Sequence, residues 1–208
     1  MNKKREKLVW YVSYGSNISR ERFRYYIDGG RMPANGHVHP GCRDTTPPRR
    51  IKRLVIPHQL YYGTTTSGWG GGVAFIDEQV SKNEHTKGYA YLITEEQFAD
   101  VVAQENLLTR RISLSTDRIV KKKRYIMNEL GAYGEMLYLG DIDGIPSVTF
   151  TAPHRHHIAR PSTSYLRQIS EGLREAYRMS PQEIAQYFRR QPGVHGRLTT
   201  EELLRLQK

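Results

Sequence analysis

The chain has 208 residues, 38% of them hydrophobic, enough for one domain that buries a core without metal or disulfide support. Its single cysteine, Cys42, excludes an internal disulfide and fits a reducing compartment such as the cytoplasm. The 32 basic and 21 acidic residues leave a net charge of +11. The bases are scattered and sit on no nucleic-acid motif, so a solvated basic face is expected rather than a nucleic-acid partner.

Residues 1–7 are charged and are expected to be disordered. Leu8 to Ser13 reads as a continuous apolar strand buried on both faces. It is too short for a membrane span and lacks a small-residue cleavage site, so neither membrane association nor secretion is expected. Arg20 to Ile27 predicts a short helix ending at Asp28-Gly29-Gly30. Residues 28–50, rich in Gly, Pro, Asn and His without a period, predict a long loop of the kind that carries function or moves. Strands are expected near Arg53 to Tyr62, with Pro57 marking an edge or a bulge, and near Gly72 to Ile76 and Gly88 to Ile93.

Thr94-Glu95-Glu96-Gln97 is a capping box that starts a helix with apolar Phe98, Val101 and Val102. Glu135 to Leu139 and Ser147 to Thr151 flank polar turn residues and predict a hairpin. Ser162 caps a helix with apolar Tyr165, Leu166, Ile169, Leu173 and Tyr177. Ser180-Pro181-Gln182-Glu183 opens another helix, and Thr199 with Glu202 opens a short one within a helical extension over residues 191–208. Helices interspersed with strands and a hairpin predict an α+β fold: a small mixed barrel-like sheet with helices against it, in a single domain.

The chemistry is concentrated at Tyr14-Gly15-Ser16-Asn17, where the first strand feeds a helix through a small polar turn. Backbone N–H groups at such a turn lack partners and can cradle a carboxylate or an oxyanion; the same residues can equally serve only as caps. Glu105 stands seven residues after Phe98 and four after Val101, on or beside the apolar stripe. A carboxylate there needs a partner, such as Arg110 or Arg111, or a purpose. His154, His156 and His157 could ligate a metal but have no acidic or cysteine neighbour, which favours a solvated or pocket-lining role. Cys42 could be a nucleophile activated by Arg43 and His37 or His39, although a thiol in a turn-rich loop is more often incidental. Arg43 and Asp44 are expected to form a loop-anchoring ion pair.

Tyr14-Gly15-Ser16-Asn17, the strand Gly88-Tyr89-Ala90-Tyr91-Leu92-Ile93-Thr94 leading to Gln104-Glu105, the run Gly70-Gly71-Gly72-Val73-Ala74 and the helix opening Arg160-Pro161-Ser162 together resemble the γ-glutamylcyclotransferase-like superfamily. Gly41-Cys42-Arg43-Asp44 with Pro47-Pro48 resembles an uncharacterised bacterial branch of it, whose members sometimes carry the label histone deacetylase. The resemblance covers most of residues 8–190. It implies an enzyme, without cofactor or metal, that cyclises a γ-glutamyl amide or amine to 5-oxoproline and releases the amine. Glu105 would be the general acid/base. Tyr14, Gly15, Ser16 and Asn17 would bind substrate, with Gly71 and Gly72 as backbone contacts. The family's tyrosine before the late Pro-Ser is replaced here by the segment holding His156, which is taken as a further substrate-binding residue. The alternative is a non-catalytic module that binds an anionic small molecule in the same pocket. A histone deacetylase centre is not expected, since no zinc constellation of histidine and aspartate is apparent.

Overall fold

A computed structural model describes residues 6–33, 36–127 and 131–207. Of the segment expected to be disordered, residues 1–5 lie outside the described residues; Lys7 is placed, its Nζ 2.6 Å from Asp117 and 3.6 Å from Glu95. The fold is α+β, as the mixture of strand and helix signals predicts.

Strand β1 (Leu8–Ser13) is the hub, because its unbroken apolar run can be buried on both faces. After it come helix α1 (Arg20–Asp28) and a short pair, β2 (Gly30–Arg31) and β3 (Val38–His39). Four longer strands follow: β4 (Arg50–Ile56), β5 (His58–Thr66), β6 (Gly71–Val80) and β7 (Thr86–Thr94). Helices α2 (Glu95–Glu105) and α3 (Thr116–Lys122) lead into β8 (Arg124–Ile126), β9 (Glu135–Ile142) and β10 (Ile145–Thr151). Helices α4 (Thr163–Tyr177), α5 (Pro181–Arg189) and α6 (Thr200–Arg205) complete the chain.

Six strands form a mixed sheet in the order β4-β7-β1-β10-β9-β8, with β1 and β10 parallel and the other pairs antiparallel. Pro57 separates β4 from β5 and sends them to different sheets: β4 edges the large sheet, while β5 pairs with β6. Proline has no N–H for a ladder, so the chain leaves one sheet there and enters another. The β5–β6 hairpin meets the large sheet through the Thr151 hydroxyl, which donates to the Ile76 carbonyl at 2.7 Å and accepts from the Ile76 N–H at 3.2 Å.

The core lies between the sheet and the helices. Tyr11 on β1 stacks with Phe150 at 5.3 Å, and Phe23 on α1 stacks with Tyr91 on β7 at 4.1 Å. Burying each such ring stabilises the fold by roughly 1.5–3 kcal/mol. The capping boxes at Thr94, Ser180 and Thr199 all form.

Helix α3 and strand β8, for which no element is expected from the sequence, meet at the basic stretch Lys121-Lys122-Lys123-Arg124. Ser115 caps α3, and Ile119 anchors it in the core while the lysines face outward. The expected Arg43–Asp44 pair is replaced: Arg43 Nη2 meets Asp100 at 2.9 Å and Nη1 meets Glu96 at 2.8 Å. Asp44 instead accepts from the N–H and hydroxyl of Thr46. Asp100 and Glu96 lie one helical turn apart on α2 and can clamp one guanidinium, whereas Asp44 satisfies its own turn.

Candidate active site

Beyond Ser13 the chain forms a single 3₁₀ turn, Ser16–Ile18, and Ser19 caps α1 by accepting the Arg22 N–H. Among the described residues, the N–H groups of Gly15, Ser16 and Asn17 have no acceptor. They border a cavity of about 240 Å³. Its walls come from β1 and α1, from the end of α2, from the β5–β6 turn and from the loop that holds β2 and β3.

Asn17 is the hub of the cavity's polar wall. Its Nδ2 donates to Glu105 Oε1 at 2.8 Å and to the Tyr11 hydroxyl at 3.3 Å, and its Oδ1 accepts from Arg22 Nε at 3.0 Å. The Tyr91 hydroxyl donates to the Asn17 carbonyl at 2.8 Å and fixes the backbone beneath. The Tyr26 hydroxyl receives Arg22 Nη2 at 3.0 Å and feels the charge of Glu105. Glu105 is half-buried and does not pair with Arg110 or Arg111 among the described ion pairs.

Arg22 is 5% exposed, held by Asn17, Tyr26 and the Met32 sulfur, and lies 5.0 Å from the Trp69 ring centre. A guanidinium keeps its charge in such a place, so the cavity holds a fixed cation bridged to an acidic group through the neutral Asn17 side chain. Burial pushes the hydroxyls of Tyr11, Tyr26, Tyr133 and Tyr165 up from the ordinary tyrosine range, and the charge of Glu105 adds to each shift. The four phenols therefore stay protonated at neutral pH and remain donors. The Tyr165 hydroxyl accepts the Ala74 N–H at 3.1 Å, and the Tyr133 hydroxyl donates to the Ala74 carbonyl at 3.1 Å.

The structure thus gathers Tyr14, Gly15, Ser16, Asn17 and Glu105 around one cavity. The Tyr14 hydroxyl itself points back to the Phe150 carbonyl at 2.7 Å. Gly71, Gly72 and His156 lie outside the lining. A Cβ at Gly71 would fall 2.6 Å from the Ser162 N, and one at Gly72 would fall 2.6 Å from the Ala159 O. The two glycines seat the segment that carries Ser162, the cap of α4, and thereby position Tyr165. His156 packs on Phe75 at 4.8 Å, behind the wall.

Cys42 is buried, its thiol donating to the Tyr26 carbonyl at 3.2 Å, and burial raises its pKa. Among the described residues no three His, Cys, Asp or Glu side chains are grouped to hold a metal ion, and no helix is long and apolar enough to cross a membrane. Arg22, Tyr26 and Trp69, passed over in the sequence, and His39, weighed there only as a partner of Cys42, all stand in the cavity wall. A signal for two of them exists: Arg22, Phe23, Tyr26 and Ile27 follow helical spacing and form the buried face of α1.

No protein-family model matches the chain. It is 34% identical, over an alignment of 198 positions that covers 86% of this chain, to a protein of Arabidopsis thaliana named histone deacetylase 5. The match spans 30% of that relative's length, so the name describes a much longer protein. Among solved structures, the chain is similar to an uncharacterised protein from Homo sapiens at a TM-score of 0.49 and 18% identity, over 83% of this chain and 82% of that one. It is also similar to a structure named gamma-glutamyl cyclotransferase at a TM-score of 0.49 and 17% identity, over 82% of this chain and 81% of that one.

Proposed function

We propose that the chain is a γ-glutamylcyclotransferase-like enzyme that closes a γ-glutamyl amide to 5-oxoproline and releases the amine. The observation that supports this most is the meeting of Glu105 with Asn17, at 2.8 Å, on the rim of a cavity bordered by unpaired backbone N–H groups.

The substrate's α-amine is tethered to the carbonyl it attacks, so proximity is supplied by the substrate and no enzyme nucleophile is needed. Glu105 takes a proton from the α-ammonium, and the freed nitrogen lone pair forms the new C–N bond at the γ-carbonyl carbon. The carbonyl π electrons move onto oxygen, where donors from the Gly15–Asn17 turn stabilise the oxyanion. As the carbonyl re-forms, the old C–N bond breaks and the leaving nitrogen receives the proton held by Glu105. Glu105 then takes the second proton from the ring nitrogen, and the released amine carries it away as an ammonium ion. Atoms balance without water or a second reagent. Asn17 donates to Glu105 and holds it in one orientation, and Arg22 supplies a fixed positive field for a substrate carboxylate.

The test is mass spectrometry of a mixture of γ-glutamyl amides and γ-glutamyl dipeptides incubated with the purified protein. 5-Oxoproline together with a free amine supports the proposal, and the amine names the leaving group. Saturable binding without 5-oxoproline overturns it in favour of a binding module.

A further inference from the structure

The loop between α1 and β4 places a histidine in the cavity wall that cyclisation leaves unused. The Tyr26 carbonyl can only accept, and Gln104 Nε2 donates to it at 2.9 Å, which fixes the orientation of the Gln104 amide. Gln104 Oε1 therefore faces His39 Nδ1, at 3.3 Å, and Nδ1 must carry the imidazole proton. The tautomer so fixed leaves His39 Nε2 as a bare acceptor. That atom is buried and has no hydrogen-bond partner among the described residues.

His39 is 4% exposed, against Tyr26 at 4.2 Å and edge-on to His37 at 4.7 Å. Burial and then the Arg22 charge lower its pKa to about 4, so Nε2 stays unprotonated at neutral pH. His39 enters the cavity wall beside His37, from the loop that holds β2 and β3, whereas the unpaired N–H groups belong to the Gly15–Asn17 turn at the end of β1. His39 is therefore a contact separate from the turn that would hold the reacting carbonyl. A buried acceptor repels a carboxylate and is satisfied only by an N–H or O–H.

Resting on the cyclotransferase reading, we propose that His39 is a specificity-determining residue whose Nε2 accepts a hydrogen bond from a donor on the leaving-amine portion of the substrate. The substrate class is then γ-glutamyl amides whose amine carries a second polar donor, rather than a plain alkyl chain.

The test compares γ-glutamyl-ethanolamide with γ-glutamyl-propylamide, which exchange a hydroxyl for a methyl group at nearly constant size. The wild type should favour the ethanolamide in kcat/KM by at least about tenfold. His39→Phe should bring that ratio close to one while the propylamide is still turned over. Dissociation constants on the Glu105→Gln variant, with and without His39→Phe, read the same preference without catalysis. Equal kcat/KM for the two amides in the wild type, or a preference that survives His39→Phe, overturns the role of His39 and leaves the cyclotransferase reading standing. Absence of 5-oxoproline from both amides overturns the cyclotransferase reading and this proposal with it.

Discussion

Asn17 Nδ2 and Glu105 Oε1 lie 2.8 Å apart although 88 positions separate the two residues. Asn17 sits on the turn after the central strand, and Glu105 is the last residue of α2, which starts directly from the neighbouring strand β7. Strands β1 and β7 are antiparallel, with Leu8 opposite Thr94 and Ser13 opposite Tyr89. The helix that begins beyond Thr94 therefore runs back along β1, and its far end arrives at the turn.

Replacing Asn17 by Asp tests that contact with almost no change of shape. The variant sets a second carboxylate oxygen against Glu105, and two such groups cannot both ionise at that separation. Loss of the donor and capture of a proton should lower kcat/KM at pH 7 by roughly 10²-fold or more, within the range of acid–base catalysis. Steady-state kinetics on any substrate found active will show it. Circular dichroism should stay unchanged, since Arg22 Nε still has Oδ1 to donate to.

His39 should make stability pH-dependent. Its pKa falls from the ordinary 6.5 to about 4 on folding, mainly through burial. Between those values the unfolded chain binds more protons than the folded one, so stability rises with pH. The contribution is present in full above pH 6.5 and is lost as pH falls through about 4. Urea unfolding at pH 7 and pH 5 should show a larger loss for the wild type than for His39→Phe.

Gly172 on α4 lies against the Ile18–Ser19 backbone, where an added Cβ would stand 2.6 Å from the Ser19 N. Gly172→Ala should force helix and turn apart and destabilise the fold by roughly 1–3 kcal/mol, the usual cost of overpacking. Because the displaced turn is the one that carries Asn17, activity should fall as well. Thermal unfolding and kinetics on the same sample will report both.

The Cys42 thiol is buried, hydrogen-bonded to the Tyr26 carbonyl, and its pKa is raised by burial and then by the Asp100 charge. It should not react with a disulfide reagent in native buffer and should titrate as one thiol in urea. Cys42→Ser should leave turnover within a few-fold of the wild type.

Much of the scaffold is legible because its signals are local. The apolar run Leu8–Ser13, the capping boxes at Thr94, Ser180 and Thr199, and the stripe of α4 each depend on residues a few positions apart. Helix α3 is hidden because its lysines mask one buried Ile119. The cavity is only partly legible. Its turn and carboxylate sit at recognisable element ends, whereas Trp69 and His39 reach it from loops without periodicity. Gly71 and Gly72 show the limit of glycine as a signal, since close approach to a backbone segment reads the same in sequence as close approach to a ligand.

The most direct measurement is the rate of 5-oxoproline formation by wild type and Glu105→Gln, each checked for an unchanged melting temperature. Gln keeps the shape of Glu105 and removes its capacity to carry a proton. The account predicts a fall of roughly 10²-fold or more in kcat, with the fold intact. A Glu105→Gln variant that turns over at the wild-type rate would contradict it.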